Sequence, residues 1–299
     1  MTFVQRLGAV AGLTEQRLAE LLGECGPEEG SRLGAAMRHA VLGGGKRFRP
    51  FLVIECAGLF EVPADAARDA AGAFECVHCY SLVHDDLPSM DNDDMRRGRP
   101  TLHKAFDEWT AILAGDALLT LAFEIMGNER THPDPGVRAE LTRLLARAAG
   151  GRGMVLGQMF DLEAEKRGDP SRMSEAHVRR LQALKTGALI ASACEAGAVL
   201  GRATGTQRLA LRRYGDNLGL AFQIADDLLD AEGDARAMGK ATGKDSAAGK
   251  ATLVGIIGIE AARAQLAATI ADAEREVEGF GEKARGLIEA AHFAASREH

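Results

Sequence analysis

The stretch Phe74-Glu75-Cys76-Val77-His78-Cys79-Tyr80-Ser81-Leu82-Val83-His84-Asp85-Asp86-Leu87-Pro88-Ser89-Met90-Asp91-Asn92-Asp93-Asp94 joins an apolar helical segment to a dense block of carboxylates. A second segment repeats the arrangement, with Leu218 to Ala225 leading into Asp226-Asp227-Leu228-Leu229-Asp230. Charged groups at the end of a buried helix need partners. Carboxylates about 5 Å apart repel by roughly 3 kcal/mol per pair at an effective dielectric near 20, so such clusters strain a fold unless cations intervene. Asp226 and Asp230 are four apart and share a helix face. Asp85 and Asp91 are six apart, which matches no regular helical face. Pro88 between them forces the chain out of helix and lets the two carboxylates converge on one ion. An oxygen-only donor set suits magnesium, which takes few carboxylates and completes its shell with waters and phosphate oxygens. Either cluster alone could be a solvated acidic turn. Two, each behind an apolar helix, speak for metal binding.

Outward from these clusters the helical character continues. Hydrophobic residues make up 46% of the 299, aromatics only 5%, and long β-branched runs are absent, so an all-α fold is expected and a sandwich or barrel is not. Apolar residues recur at three and four spacing, which predicts helices over 14–23, 31–43, 47–60, 64–86, 104–127, 134–165, 174–201, 206–231 and 248–295, the last broken at least once. Ser174 reads as an N-cap and Gly201 as a helix stop. Segment 232–250, with four glycines and three lysines, reads as the longest loop and as a lid. No repeat or linker interrupts the chain, and its motifs are spread from residue 44 to 250. A single domain over 1–299 is expected, with many helices converging on one cavity.

The net charge of −7 argues against broad nucleic-acid binding. Met1 to Gly8 lacks a charged-then-apolar leader pattern, and the best apolar stretch, Thr110 to Gly127, is interrupted by Asp116 and Glu124. A soluble cytoplasmic protein with no membrane span is expected. The five cysteines are odd in number and scattered, which suggests no disulfide framework. Cys76 and Cys79 form a CxxC without the second pair that a zinc site would want, so plain buried thiols are expected.

Within the acidic background lie local cations. Gly43-Gly44-Gly45-Lys46-Arg47-Phe48-Arg49-Pro50 sets three of them beside a glycine turn, where backbone amides and arginine forks can meet phosphate oxygens. A GxxxxGK[ST] loop is excluded, since Phe48 and Arg49 stand where Ser or Thr should follow. Arg96-Arg97 follows the first acidic cluster, Lys185-Thr186 sits inside the apolar helix Leu181 to Val199, and Lys240, Lys244 and Lys250 dot the glycine-rich segment. Each has a plain alternative: a surface turn, a solvated pair, a snorkelling lysine, a flexible loop. His78 lies seven residues before Asp85, on the same helical face.

Together these motifs resemble the trans-isoprenyl diphosphate synthase family. Asp85 to Asp91 is similar to its first aspartate-rich motif in the bacterial farnesyl-forming pattern, and Asp226 to Asp230 to its second. Gly44 to Pro50 resembles its GGKRxRP, Lys185-Thr186 its KT element and Phe222-Gln223 its FQ element. The resemblance covers nearly the whole chain in order and spacing. It implies a helical bundle around a deep cavity, a homodimer, and an enzyme that condenses dimethylallyl or geranyl diphosphate with isopentenyl diphosphate. Asp85, Asp91 and Asp226 would hold magnesium ions, with Asp86 and Asp230 in support. Arg96, Lys185 and Lys240 would contact the allylic diphosphate. Lys46, Arg49, His78 and Arg97 would hold isopentenyl diphosphate, and Thr186 and Gln223 would face the developing cation. Tyr80 and Ser81, five and four before Asp85, would form the cavity floor, and a tyrosine there resembles the farnesyl-forming pattern. One departure is Leu253, which stands where tyrosine often follows the threonine.

The alternatives are a geranylgeranyl-forming relative, a terpene cyclase and a non-catalytic partner subunit. A cyclase's second motif would want serine at Leu229 and would leave Gly44 to Pro50 without a purpose. A non-catalytic subunit should have lost some of Asp85, Asp91, Asp226, Lys46 or Arg96, and all are present.

Overall fold

Helix follows helix along the chain. The computed structural model describes residues 1–167, 174–238 and 252–296, without the side chains of 167 and 232–238. The helices are α1 Phe3–Glu24, α2 Arg32–Val41, α3 Phe48–Gly58, α4 Ala64–Asp85, α5 Leu102–Ala105, α6 Glu108–Gly127 and α7 Pro135–Ala149. They continue with α8 Met154–Arg167, α9 Glu175–Gln182, α10 Ala188–Leu200, α11 Gly205–Met238, α12 Leu253–Ile257, α13 Ile259–Val277 and α14 Arg285–Ala295. The strands among the described residues are β1 Met95–Arg96 and β2 Arg99–Pro100, a hairpin two residues long on each side. The fold is all-α, as expected.

Several boundaries differ from the sequence reading, each for a local reason. Helix α1 starts eleven residues before the expected 14, because Thr2 and Gln5 form a reciprocal capping box over its first turn. The expected 134–165 helix is two, α7 and α8, split at Gly150-Gly151 and Gly153. The 104–127 helix breaks at Asp107, whose carboxylate caps α6 by accepting from the Thr110 amide at 2.8 Å. Between α9 and α10 a π-helical turn, Ala183–Gly187, interrupts the expected 174–201 helix. Ser174 does cap α9, accepting from the His177 amide at 3.2 Å. Part of the expected 232–250 loop is helical, since α11 runs on to Met238. Residues 239–251 lie outside the described ones.

The described chain divides into two compact units, Met1–Leu145 with Ala196–Ala203, and Ala146–Glu195 with Thr204–His299. In the first, α4 packs along α3 and α6, and α1 lies against α3 and α4. Phe51, Leu52, Phe74, Val77 and Leu118 are fully buried there. Arg17 of α1 forks onto Asp69 of α4 at 2.5 and 3.2 Å inside this packing. In the second unit α11 lies along α13 and α14, and α8 lies against the π turn. Val178, Ile224, Leu228, Leu253, Val254 and Ala262 form its buried cluster.

Two helices are long and apolar enough to cross a membrane by composition alone, Glu108–Gly127 and Glu175–Leu200. Half of the first window and two-thirds of the second are buried within the protein, which is how core helices look.

Candidate functional site

Helix α4 delivers the first carboxylate group. Its last turn ends at Asp85, with Asp86 as C-cap. Beyond it the chain folds back on itself: the Asp91 amide donates to the Asp85 carbonyl at 2.8 Å, and the Met90 and Asn92 amides donate to the Leu87 carbonyl at 2.8 and 3.1 Å. Pro88 sits at the crest of this return, and Asn92 takes a left-handed φ of 56° to complete it. The turn therefore brings residues 85 and 91 together, as the proline implied. Oδ1 of Asp91 is buried and has no hydrogen-bond partner among the described residues. Leaving a carboxylate oxygen dry and unpaired is costly, and a cation answers that cost.

Asp86 has a different position. It is buried and takes a two-pronged grip from Arg96, with Nε at 2.8 and 2.9 Å from its two oxygens and Nη2 at 2.6 Å. Burial pushes its pKa up, against the pull of Arg96. Here Asp86 and Arg96 are each other's partners. Arg97 is next along, at the tip of the β1–β2 hairpin. Arg97 and Gly98 have φ of 52° and 73°, the paired left-handed residues of a tight two-residue hairpin turn. The Arg97 guanidinium donates to the Gly44 carbonyl and lies across Gly45, where an added Cβ would stand 2.5 Å from Nη1. A glycine turn and an arginine thus pack backbone to guanidinium.

The three cations after that turn separate. Lys46 is exposed and Arg49 half-buried. Arg47 is fully buried, in a left-handed conformation, bonded to Glu75 at 2.7 Å, Glu15 at 3.0 Å and the Val41 carbonyl at 2.5 Å. It is a structural pin. His78 is held neutral first by lost hydration and then by the guanidiniums of Arg49 and Arg97, which puts it among the residues expected to share its substrate.

Tyr80 is buried and meets His84 edge-on, with ring centroids 5.7 Å apart. Burial, then the charge of Asp85, pushes its phenol up to about 12. Ser81 donates to the His78 carbonyl at 2.8 Å, so its hydroxyl is turned back on its own helix. Cys76 and Cys79 are buried free thiols, and burial pushes Cys79 up to about 12.

The second unit arranges its own group. Lys185 lies in the π turn and donates to Asp161 of α8 at 2.5 Å. Such turns recur at functional sites, because the extra residue re-aims a side chain without ending the helix. Gly157 permits the close approach of α8, since a Cβ there would stand 2.6 Å from the Lys185 Cα. The Thr186 hydroxyl donates to the Gln223 amide oxygen at 3.2 Å, joining two residues expected to act together from positions 37 apart. Asp226 is half-buried and Asp230 exposed on α11. Asp227 between them is a tether: it accepts from Gln182 at 3.0 Å and from the Leu253 amide at 2.9 Å, and burial raises its pKa. Lys240 lies outside the described residues. Asp161 is the residue that the sequence reading missed; its signal was the first of three carboxylates, Asp161, Glu163 and Glu165, after the mainly apolar run Met154 to Phe160.

Among the described residues no three His, Cys, Asp or Glu side chains form a ready cage for a metal ion. Magnesium asks for less: one or two carboxylates, with waters and phosphate oxygens completing the shell. Asp85 and Asp91, joined through their backbones, with one carboxylate oxygen of Asp91 unsatisfied among the described residues, offer oxygen donors that fit that demand.

Comparison with known proteins places the whole chain. A family model described as polyprenyl synthetase matches residues 31–285. The chain is 40% identical to the farnesyl diphosphate synthase of Escherichia coli, over 95% of this chain and 94% of that one. It is 41% identical to the chloroplastic geranylgeranyl pyrophosphate synthase 9 of Arabidopsis thaliana, over 88% of this chain and 73% of that one. Among solved structures, an apo FPP/GFPP synthase from Zymomonas mobilis has a TM-score of 0.89 and 45% identity, covering 98% of both chains. With a match over most of its length and relatives well above 30% identity, the chain belongs to the polyprenyl synthetase family.

Proposed function

We propose that the protein is a short-chain prenyltransferase that condenses dimethylallyl or geranyl diphosphate with isopentenyl diphosphate, head to tail, giving mainly (E,E)-farnesyl diphosphate. The observation that carries this reading is the 40% identity to a farnesyl diphosphate synthase along nearly the full length of both chains. The return of Asp91 onto Asp85, which Pro88 implied, and the hydrogen bond between Thr186 and Gln223, two residues that the resemblance sets beside the developing cation, support it.

In this reading Asp85, Asp91 and Asp226 are magnesium ligands, with Asp230 in support. Bound magnesium would neutralise the charge that builds on the departing diphosphate. Asp86 serves the site through Arg96, whose guanidinium it holds with both oxygens. Arg96, Lys185 and Lys240 bind the allylic diphosphate, and Asp161 holds the Lys185 ammonium in place until substrate arrives. Fixed cations of this kind stabilise a leaving group without reorganising during the reaction. Lys46, Arg49, His78 and Arg97 bind isopentenyl diphosphate, with His78 as a neutral hydrogen-bonding group among arginines. Thr186 and Gln223 turn neutral oxygens toward the allylic cation. No site side chain stands out as a general base, and the departing diphosphate is the proposed proton acceptor.

The two units are read as halves of one catalytic domain, because the family model runs through both. A homodimer is proposed as well. Helix α6 exposes Trp109 at 59%, Ile112 at 44% and Leu113 at 51%, an apolar stripe at helical spacing that a second copy could cover. The proposed location is the cytoplasm. A geranylgeranyl product is the second reading, favoured by the 41% identity to a plant synthase of that name. Tyr80 in the expected floor position favours the C15 product. Product chain length from dimethylallyl and geranyl starters separates the two, and geranyl diphosphate given alone tests for a cyclase.

A further inference from the structure

The hairpin that carries Arg96 and Arg97 pairs Met95 with Pro100 and Arg96 with Arg99, and nothing more. A two-stranded ribbon is marginal in water even when longer, so this one needs holding from outside. Some tethers are local: Thr101 donates its hydroxyl to the Asp93 carbonyl at 2.8 Å and its amide to the Asp94 carbonyl at 3.0 Å. Arg96 on Asp86 and Arg97 on the Gly44 carbonyl are further tethers, but on the functional reading above both guanidiniums are needed by substrate.

One tether makes no such conflict. His39, in the last turn of α2, has Nε2 at 2.9 Å from the Pro100 carbonyl and Nδ1 at 3.1 Å from Nη2 of Arg99. A guanidinium can only donate and a carbonyl can only accept. The ring must therefore carry its hydrogen on Nε2 and accept on Nδ1, which uses both of its nitrogens. Its edge rests on Phe106, with ring centroids 5.9 Å apart. Nη1 of Arg99 in turn covers Gly43, where an added Cβ would stand 3.2 Å away. One imidazole thus ties the hairpin bearing Arg97 to the helix end from which the turn bearing Lys46 and Arg49 continues.

We propose that His39 and Arg99 form a positioning clasp that sets the distance between the two arms of the isopentenyl diphosphate subsite, Arg97 on one and Lys46 with Arg49 on the other. The clasp rests on the functional reading above, and neither of its members needs to touch substrate. The test is steady-state kinetics on the full chain with His39→Leu, Arg99→Met, the double variant and His39→Gln, which keeps a donor and an acceptor. The expected result is a rise of about tenfold in KM for isopentenyl diphosphate for either single variant, with kcat and the KM for geranyl diphosphate within about twofold. The double variant should be no worse than the singles, because the two residues act as one unit. His39→Gln should recover most of the loss. Arg99 is exposed, so Arg99→Met carries the test if His39→Leu does not fold. Wild-type transfer with unchanged KM in the variants, or an equal rise for both substrates, overturns the clasp alone. A wild-type protein without prenyl transfer overturns the functional reading and the clasp with it.

Discussion

The backbone amide of Asp91 donates to the carbonyl of Asp85 at 2.8 Å, closing a return loop at the end of a buried helix. Two residues six apart are joined by main chain, and one carboxylate oxygen of Asp91 is buried without a hydrogen-bond partner among the described residues. Asp85→Asn and Asp91→Asn keep this backbone bond and remove charge only. Each is expected to lower kcat by about a thousandfold, equivalent to about 4 kcal/mol of transition-state stabilisation, while the fold persists. Single-turnover assays alongside circular dichroism check this, and activity within threefold of wild type would remove both residues from the metal site.

Neighbouring cations in the glycine turn should behave in opposite ways. Arg47→Met leaves Glu75 buried without its guanidinium, which costs about 3–5 kcal/mol of stability. Lys46→Ala touches an exposed side chain and should leave stability unchanged while raising KM for isopentenyl diphosphate about tenfold. Urea titrations of both variants separate the roles. Equal loss of stability in both would mean that the turn is a structural unit and no more.

His78 gives a pH signature. Its pKa in the fold lies well below the ordinary 6.5, so the folded state holds it neutral where the unfolded chain protonates it. Its contribution is present above about pH 6.5 and is lost as pH falls toward the depressed value, at up to about 1.4 kcal/mol per pH unit. Unfolding free energies at pH 7.5 and 5.5 should therefore fall less in His78→Gln than in wild type. Identical declines in the two proteins would show that His78 does not titrate in this environment.

Tyr80 tests the chain-length reading. Its ring is buried against His84, and removing it opens space one turn and more below Asp85. Tyr80→Ala is expected to move product from C15 toward C20, measured by chromatography of the dephosphorylated alcohols. Release of C15 alone would show that the floor lies elsewhere.

Much of this was readable before any coordinates. Pro88 between Asp85 and Asp91 announces a return loop, and the Asp91–Asp85 backbone bond closes it. What escaped the reading depends on partners distant in sequence. Three cations follow the glycine turn, and nothing local says that Arg47 is the buried one; Glu75 and Glu15 decide that, 28 and 32 residues away. Asp86 was expected to support the metal site, and nothing local shows that Arg96, ten residues on, grips both its oxygens. The π turn around Lys185 has no sequence mark of its own; it lies where α8 comes close at Gly157, 28 residues away. Two misses had visible signals: the Thr2–Gln5 capping box that starts α1, and the glycines at 150, 151 and 153 that part α7 from α8.

The most direct test of the central claim is a product assay on the purified wild-type chain with geranyl and isopentenyl diphosphates, with magnesium and then with the metal chelated. The account predicts farnesyl diphosphate as the main product with magnesium and a loss of at least about a thousandfold in rate without it. Equal rates in the presence of chelator, or consumption of geranyl diphosphate with no use of isopentenyl diphosphate, would contradict it.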